Sequence, residues 1–204
     1  DLRNNCCFDL TTRARMEAEV IAGRKCGTCS MCCKILAIDE LKKPLGVWCS
    51  HVRKGKGCSI YADRPPSCAA YGCGYLHWAQ TGEHWFPSRA KMVVELESDS
   101  RLLVRVDPAT PSVWRTQPYY DDIKLWARMA ELSGQQVAVM IGRKMIIVMA
   151  EHDIDVGFVS EDEAVIVSEM RDGSFSVSKI SRDDHRFADL RTGIFHTRSP
   201  STKF

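Results

Sequence analysis

Apolar and polar residues alternate through the second half of the chain. Met92, Val94 and Leu96 recur at every second position, as do Leu102, Val104 and Val106, with Ser98, Asp99 and Ser100 between the runs. This pattern predicts a β-hairpin. Val137 to Ile141 and Met145 to Met149 predict two more strands around Gly142-Arg143, a two-residue turn with Gly first as type II′ demands. Ala164 to Ser168 and Phe175 to Ile180 predict another hairpin around Asp172-Gly173. The period changes between Pro118 and Ser133. There Ile123, Trp126, Met129 and Ala130 form a helical stripe, Asp121 and Asp122 favour the N-terminus, and Gly134 stops the helix. Asp9 to Ala22 predicts an earlier helix, capped by Asp9 or Thr11, with Leu10, Met16 and Val20 on its apolar side and Gly23 at its end.

Residues 26–73 lack any long apolar period. Lys34 to Leu41 predicts a short helix or turn with Cys32 and Cys33 at its start, and Gly55-Lys56-Gly57 predicts a turn. Arg64-Pro65-Pro66-Ser67 is extended or turning, because Pro restricts the residue before it. The expected fold class is therefore α+β. An irregular, metal-organised cysteine-rich module with an N-terminal helix occupies 1–90. A small mixed α+β domain of β-hairpins and one main helix occupies 91–204, with a flexible polar tail.

Composition narrows this only a little. With 204 residues, 45% hydrophobic and 26% charged, the chain can bury a core and does not need metal merely because it is short. The longest strongly apolar run, Met145 to Ala150, is far below the roughly 20 residues of a membrane helix. No secretory signal opens the chain, so no membrane partner and a cytoplasmic location are expected. Charge is placed unevenly: residues 1–73 hold 12 Lys and Arg against 7 Asp and Glu, whereas residues 74–204 hold 16 against 19. A basic first part invites a nucleic-acid reading. The preferred reading is that Lys25, Lys34, Arg53, Lys54, Lys56 and Arg64 offset thiolate charge.

The thiols prompt that preference. Cys26, Cys29, Cys32 and Cys33 fall within eight residues, Cys49, Cys58, Cys68 and Cys73 follow, and no cysteine occurs after residue 73. Thiolates suit Zn²⁺, Cu(I) and iron–sulfur clusters, and two-residue spacers let neighbouring sulfurs turn back onto one centre. Five disulfides are the competing account. Cross-links usually spread through a chain, however, and these cysteines crowd one third of it. Cys6 and Cys7 stand apart from the cluster and are read as free thiols or part of a flexible start. His51, His77 and His84 are each weighed as ligands and read as structural or surface residues. Two Cys₄ zinc sites use all eight thiols, with adjacent Cys32 and Cys33 serving different sites. Alternatively, the Cys-x₂-Cys-x₂-Cys run with a remote fourth Cys wraps an iron–sulfur cluster as ferredoxin-type chains do, which tips the balance toward iron.

Cys26-x-x-Cys29-x-x-Cys32-Cys33, followed by Cys49, Gly57-Cys58-Ser59-Ile60-Tyr61, Arg64-Pro65, Cys68 and Cys73, resembles the signature of the CxxCxxCC cysteine-cluster (YkgJ-like) family of zinc- or iron-chelating proteins. The resemblance covers about a quarter of the chain and implies metal chelation by a bacterial-type protein. One position departs from it: the family often carries Arg after the seventh cysteine, and here the residue is Ala69. A similar cluster is associated with the flagellin lysine methylase, which raises methyl or other group transfer as an alternative.

No Gly-x-Ser-x-Gly, His-Glu-x-x-His or Walker-type loop occurs, and no Rossmann fingerprint marks a place for S-adenosylmethionine. Asp121-Asp122, Asp153-Asp155 and Asp183-Asp184 read as helix starts or solvated loops. No catalytic residue is assigned. The leading expectation is a protein that binds zinc or an iron–sulfur cluster in a structural or redox role. A metalloenzyme comes second, and a nucleic-acid- or protein-binding module third.

Overall fold

The computed structural model describes residues 20–98, 101–170, 172 and 174–184. The fold is α+β, and it divides into two compact units, 1–157 and 158–204. Residue 90, where the cysteine module was expected to end, lies inside the first unit. A single apolar cluster there draws on both sides of it, from Met31, Ile35 and Cys73 to Val94, Trp126 and Val148.

The alternating runs become a five-stranded sheet in the order β3-β4-β5-β6-β7. β3 (Met92–Ser98) and β4 (Arg101–Val106) pair antiparallel, with Val94 opposite Val104 and Met92 opposite Val106. β5 (Gln136–Ile141) and β6 (Lys144–Val148) form the next hairpin. Gly142 takes φ +60° in its turn while Arg143 stays out of the positive region, which is the arrangement a II′ turn needs. β4 and β5 run parallel, Leu102 opposite Val137 and Val104 opposite Val139. A parallel pair needs a crossover, and the helix α5 (Tyr119–Leu132) lies in it. Ile123, Trp126, Ala127 and Ala130 of α5 are buried, with Asp121 and Asp122 in its first turn, as its stripe predicts.

β7 (Asp153–Phe158) corrects one expectation, because Asp153-Asp155 was read as a solvated loop or helix start. The Asp153 carboxylate is instead partly buried and is held by Lys124 at 3.2 Å, Arg115 at 3.2 Å and the Tyr120 hydroxyl at 3.1 Å. In the second unit, β8 (Glu163–Glu169) and β9 (Phe175–Ser181) pair antiparallel, with Val167 opposite Val177. Most of the helix expected over Asp9 to Ala22 lies outside the described residues, as do Cys6 and Cys7 and the polar tail beyond residue 184. Among the described residues no helix is long and apolar enough to cross a membrane.

The cysteine segment is irregular, as expected. It contains α1 (Cys32–Ile35), the two-residue strands β1 (Val52–Arg53) and β2 (Gly57–Cys58), α2 (Pro66–Ala70), α3 (Gly74–His77) and, beyond it, α4 (Pro87–Ala90). Three attachments fix it to the sheet. Gly74 lets α3 approach β3, since a Cβ there would stand 3.1 Å from Val94. Trp126 packs in tilted contact at 4.9 Å with Trp78 and 4.7 Å with Trp85, and the Trp85 indole N–H donates to Asp122 at 2.8 Å. Lys34 of α1 reaches Asp107, just past β4, at 2.6 Å. Asp107 is buried, so Asp107→Ala strands a partly buried ammonium. We expect a loss of about 3 kcal/mol in urea unfolding. A loss below about 1 kcal/mol is what a solvated pair would give.

Candidate metal centre

Arg24 holds the entry to the cysteine loop. Its guanidinium donates to the carbonyls of Tyr75 at 2.6 Å, Trp78 at 3.1 Å and Thr81 at 2.5 Å, and to the Thr81 hydroxyl at 3.0 Å, and it lies 4.7 Å from the centre of the Tyr75 ring. The Ile21 N–H adds a bond to the Leu76 carbonyl at 2.9 Å. Residues just before Cys26 are thus tied to residues just after Cys73. A tight turn follows, with the Cys29 N–H donating to the Cys26 carbonyl at 2.8 Å. Met31 and Ile35 are buried in the apolar cluster, which fixes the short helix that carries Cys32 and Cys33. The Cys49 N–H donates to the Cys33 carbonyl at 3.0 Å. Past Cys49 the chain makes the small ladder in which Val52 faces Cys58. Gly57 permits that ladder to lie against the first cysteine turn, since a Cβ there would stand 3.2 Å from the Gly27 carbonyl. Cys68 sits on α2, which is held at Ser67 by the Glu40 carboxylate at 2.8 and 3.1 Å.

Together these constraints place Cys26, Cys29, Cys32, Cys33, Cys49, Cys58, Cys68 and Cys73 on the wall of one cavity of about 240 Å³. All eight are free thiols. Among the described residues no carboxylate lines that cavity, so the donor set is soft and does not suit Ca²⁺ or Mg²⁺. Of the three histidines weighed, only His51 reaches the wall. His84 pairs with Asp122 at 2.6 Å, and the His77 ring fills the space a side chain at Gly72 would need.

The thiols surround the cavity without converging. Among the described residues no three His, Cys, Asp or Glu side chains stand close enough to hold one ion as placed. Four sulfurs on one Zn²⁺, each at about 2.3 Å, would lie within about 4 Å of one another. A water needs only about 10–15 Å³ of such space, so the cavity has room for a larger group, and for a single ion it must contract.

The thiols differ in how readily they ionise. Burial pushes Cys73 up to about 11, against the pull of the Leu76 and Tyr75 backbone N–H groups. Burial also raises Cys26, with Cys29 adding to the rise and Arg64 opposing it. Cys32 is raised because its thiol donates to Cys33. Cys33 is lowered by the same bond, with Lys43 contributing. Tyr71 lines the cavity as well, and burial together with the nearby Glu95 carboxylate holds its hydroxyl far above its ordinary range.

Lys43 is the feature sequence reasoning missed. It was not among the basic residues expected to offset thiolate charge, yet it is buried and its ammonium donates to the carbonyls of Lys34, at 2.8 Å, and Leu36. Of the expected set, Lys25 and Arg64 do line the cavity, Lys34 serves Asp107, and Arg53, Lys54 and Lys56 are exposed. Lys42-Lys43-Pro44 carries no pattern that distinguishes a buried lysine from a surface one. No family model matches the chain, and neither do any curated protein or solved structure.

The Cys32–Cys33 bond has a direct consequence for reactivity, because the thiolate is the nucleophile. In metal-free protein, iodoacetamide at about pH 7 should modify Cys33 ahead of Cys32 and Cys73, as read by peptide mapping. Equal rates at the three would contradict the bond.

Proposed function

We propose that this chain is a metal-binding protein that holds an iron–sulfur cluster or zinc through Cys26, Cys29, Cys32, Cys33, Cys49, Cys58, Cys68 and Cys73, in a structural or redox role. The observation that carries this reading is the gathering of eight thiols from a 48-residue stretch on one carboxylate-free cavity wall. The family-like cysteine spacing supports it. The cavity volume favours a polynuclear group, and hence iron–sulfur, over one closed zinc site. Bound there, a cluster would supply one-electron transfer, whereas zinc would supply folding free energy. The chain's own part is to hold the thiols apart, to shield them with Leu36, Leu76 and Phe86, and to set cations beside them. A reducing compartment such as the cytoplasm keeps the thiols available.

A metalloenzyme is the second reading. It is favoured by the rest of the cavity wall, where Ile38, Leu41, Ile60 and Tyr61 leave an apolar face beside the sulfurs. Group transfer would need an open position on the metal next to that face. Nucleic-acid binding has less support: Arg24, Lys34 and Lys43 are engaged inside the protein, which leaves Lys25, Arg53, Lys54 and Lys56 exposed in the cysteine segment.

Anaerobic purification with elemental analysis tests the leading reading. Brown protein with visible absorption and bound iron supports a cluster, and colourless protein with stoichiometric zinc supports structural sites. Cys29→Ser combined with Cys68→Ser should strip the metal, while serine at Cys6 and Cys7 should leave it. Full metal retention by the Cys29/Cys68 pair would sink the reading.

A further inference from the structure

Two side chains on the cavity wall carry donors that nothing in the fold answers. Arg64 and Tyr71 both line the cavity. The Arg64 Nε and the Tyr71 hydroxyl are buried, and neither makes a hydrogen bond among the described residues. The rest of the Arg64 guanidinium is fixed. Its Nη1 donates to the Tyr61 carbonyl at 2.9 Å, and the group lies 4.0 Å from the centre of the Tyr61 ring. That leaves the edge made by Nε and Nη2, a fork of two N–H groups that matches the two oxygens of a carboxylate.

A buried donor without a partner costs folding free energy, so such a group needs an explanation. The fold supplies none for Arg64, which has no carboxylate partner among the described residues, and no carboxylate there lines the cavity. Lys25 is a second cation on the wall. Lys25 and Tyr61 are both exposed, so the cavity opens to solvent beside them. Beyond Tyr61, the side chains of Ile38, Leu41 and Ile60 give the wall an apolar surface. A wall that offers cations and free donors over an apolar surface complements an apolar molecule with an anionic end. A water in the cavity would accept one hydrogen bond and leave the guanidinium without an anion.

We propose that the cavity also binds a small aliphatic carboxylate, anchored by its two oxygens on the Nε–Nη2 edge of Arg64, with the Tyr71 hydroxyl as a further donor and the aliphatic chain against Ile38, Leu41 and Ile60. Binding itself does not rest on the metal reading, because none of these groups is a thiol. Only a role for the carboxylate as a substrate rests on the metalloenzyme reading above, to which it adds a substrate class.

Isothermal titration of the full chain, as purified and again after anaerobic chelation, tests this with the sodium salts of propanoate, hexanoate and octanoate. Hexanol and hexylamine are the neutral and cationic controls. In at least one form of the protein, hexanoate should bind roughly tenfold or more tightly than hexanol, the scale of a hydrogen bond between charged groups, and hexylamine should not bind. Arg64→Gln should remove that advantage and leave hexanol binding unchanged. Arg64→Lys should restore only part of it, because an ammonium lacks the fork, and Tyr71→Phe should weaken hexanoate severalfold. A merely structural role for Arg64 would weaken hexanoate and hexanol alike. Failure of every acid to bind either form, equal binding of hexanoate and hexanol, or a preference for hexanoate that survives in Arg64→Gln would overturn the proposal. If Arg64 instead answers thiolates on a metal, Arg64→Gln lowers metal content while wild-type protein binds no acid, and the proposal fails. Metal content of the same samples separates the two readings: metal-free protein that binds hexanoate keeps this proposal and loses metal binding, and metal-loaded protein that ignores every acid does the reverse. Should Arg64→Gln fail to fold, the wild-type preference for hexanoate over hexanol and the effect of Tyr71→Phe decide the matter.

Discussion

The guanidinium of Arg24 holds four oxygens of the segment that leaves Cys73, and so brings the first thiol of the cluster to the last. Everything between those two cysteines is a loop closed by that clamp. Residues 26–73 bury few side chains of their own, chiefly Met31, Ile35 and Ile38. Their path is therefore set from outside, by the clamp, by Lys34 on Asp107 and by the tryptophans that lean on Trp126. The sheet supplies the rigidity, and the cysteine segment spends it on keeping eight sulfurs around one space.

Burial sets the electrostatics of this site. Burial raises Cys73 and Cys26, and it lowers Lys43, whose ammonium donates to the carbonyls of Lys34 and Leu36. Binding of a soft metal, as proposed, would take the protons off these thiols. The absence of lining carboxylates among the described residues leaves a soft, thiol-rich donor set on the wall.

Much of the fold was legible in the sequence, for reasons that are local. Period-two alternation marked β3 to β6 and the β8–β9 hairpin, and Ile123, Trp126 and Ala130 with Gly134 marked α5. The parallel pairing of β4 with β5 was not legible, because alternation tells which face a strand buries and not which strand lies beside it. β7 was missed because Asp153 reads as a surface residue until Lys124, Arg115 and Tyr120 are seen around it. The packing of the cysteine module on the sheet was not legible either: its apolar residues are too few to define a core, and only in three dimensions do they join the sheet's. The eight thiols were legible from spacing alone, whereas Lys43 needed the fold.

The central claim is that metal ligation shapes residues 26–73 while the sheet's core stands on apolar burial. Peptide-resolved hydrogen exchange on full-length protein, with metal bound and after anaerobic chelation at neutral pH, tests this most directly. The account predicts that protection falls across 26–73 on metal removal and persists across 137–149 and 164–180. Loss of protection in all three segments together, or no change in 26–73, would contradict it.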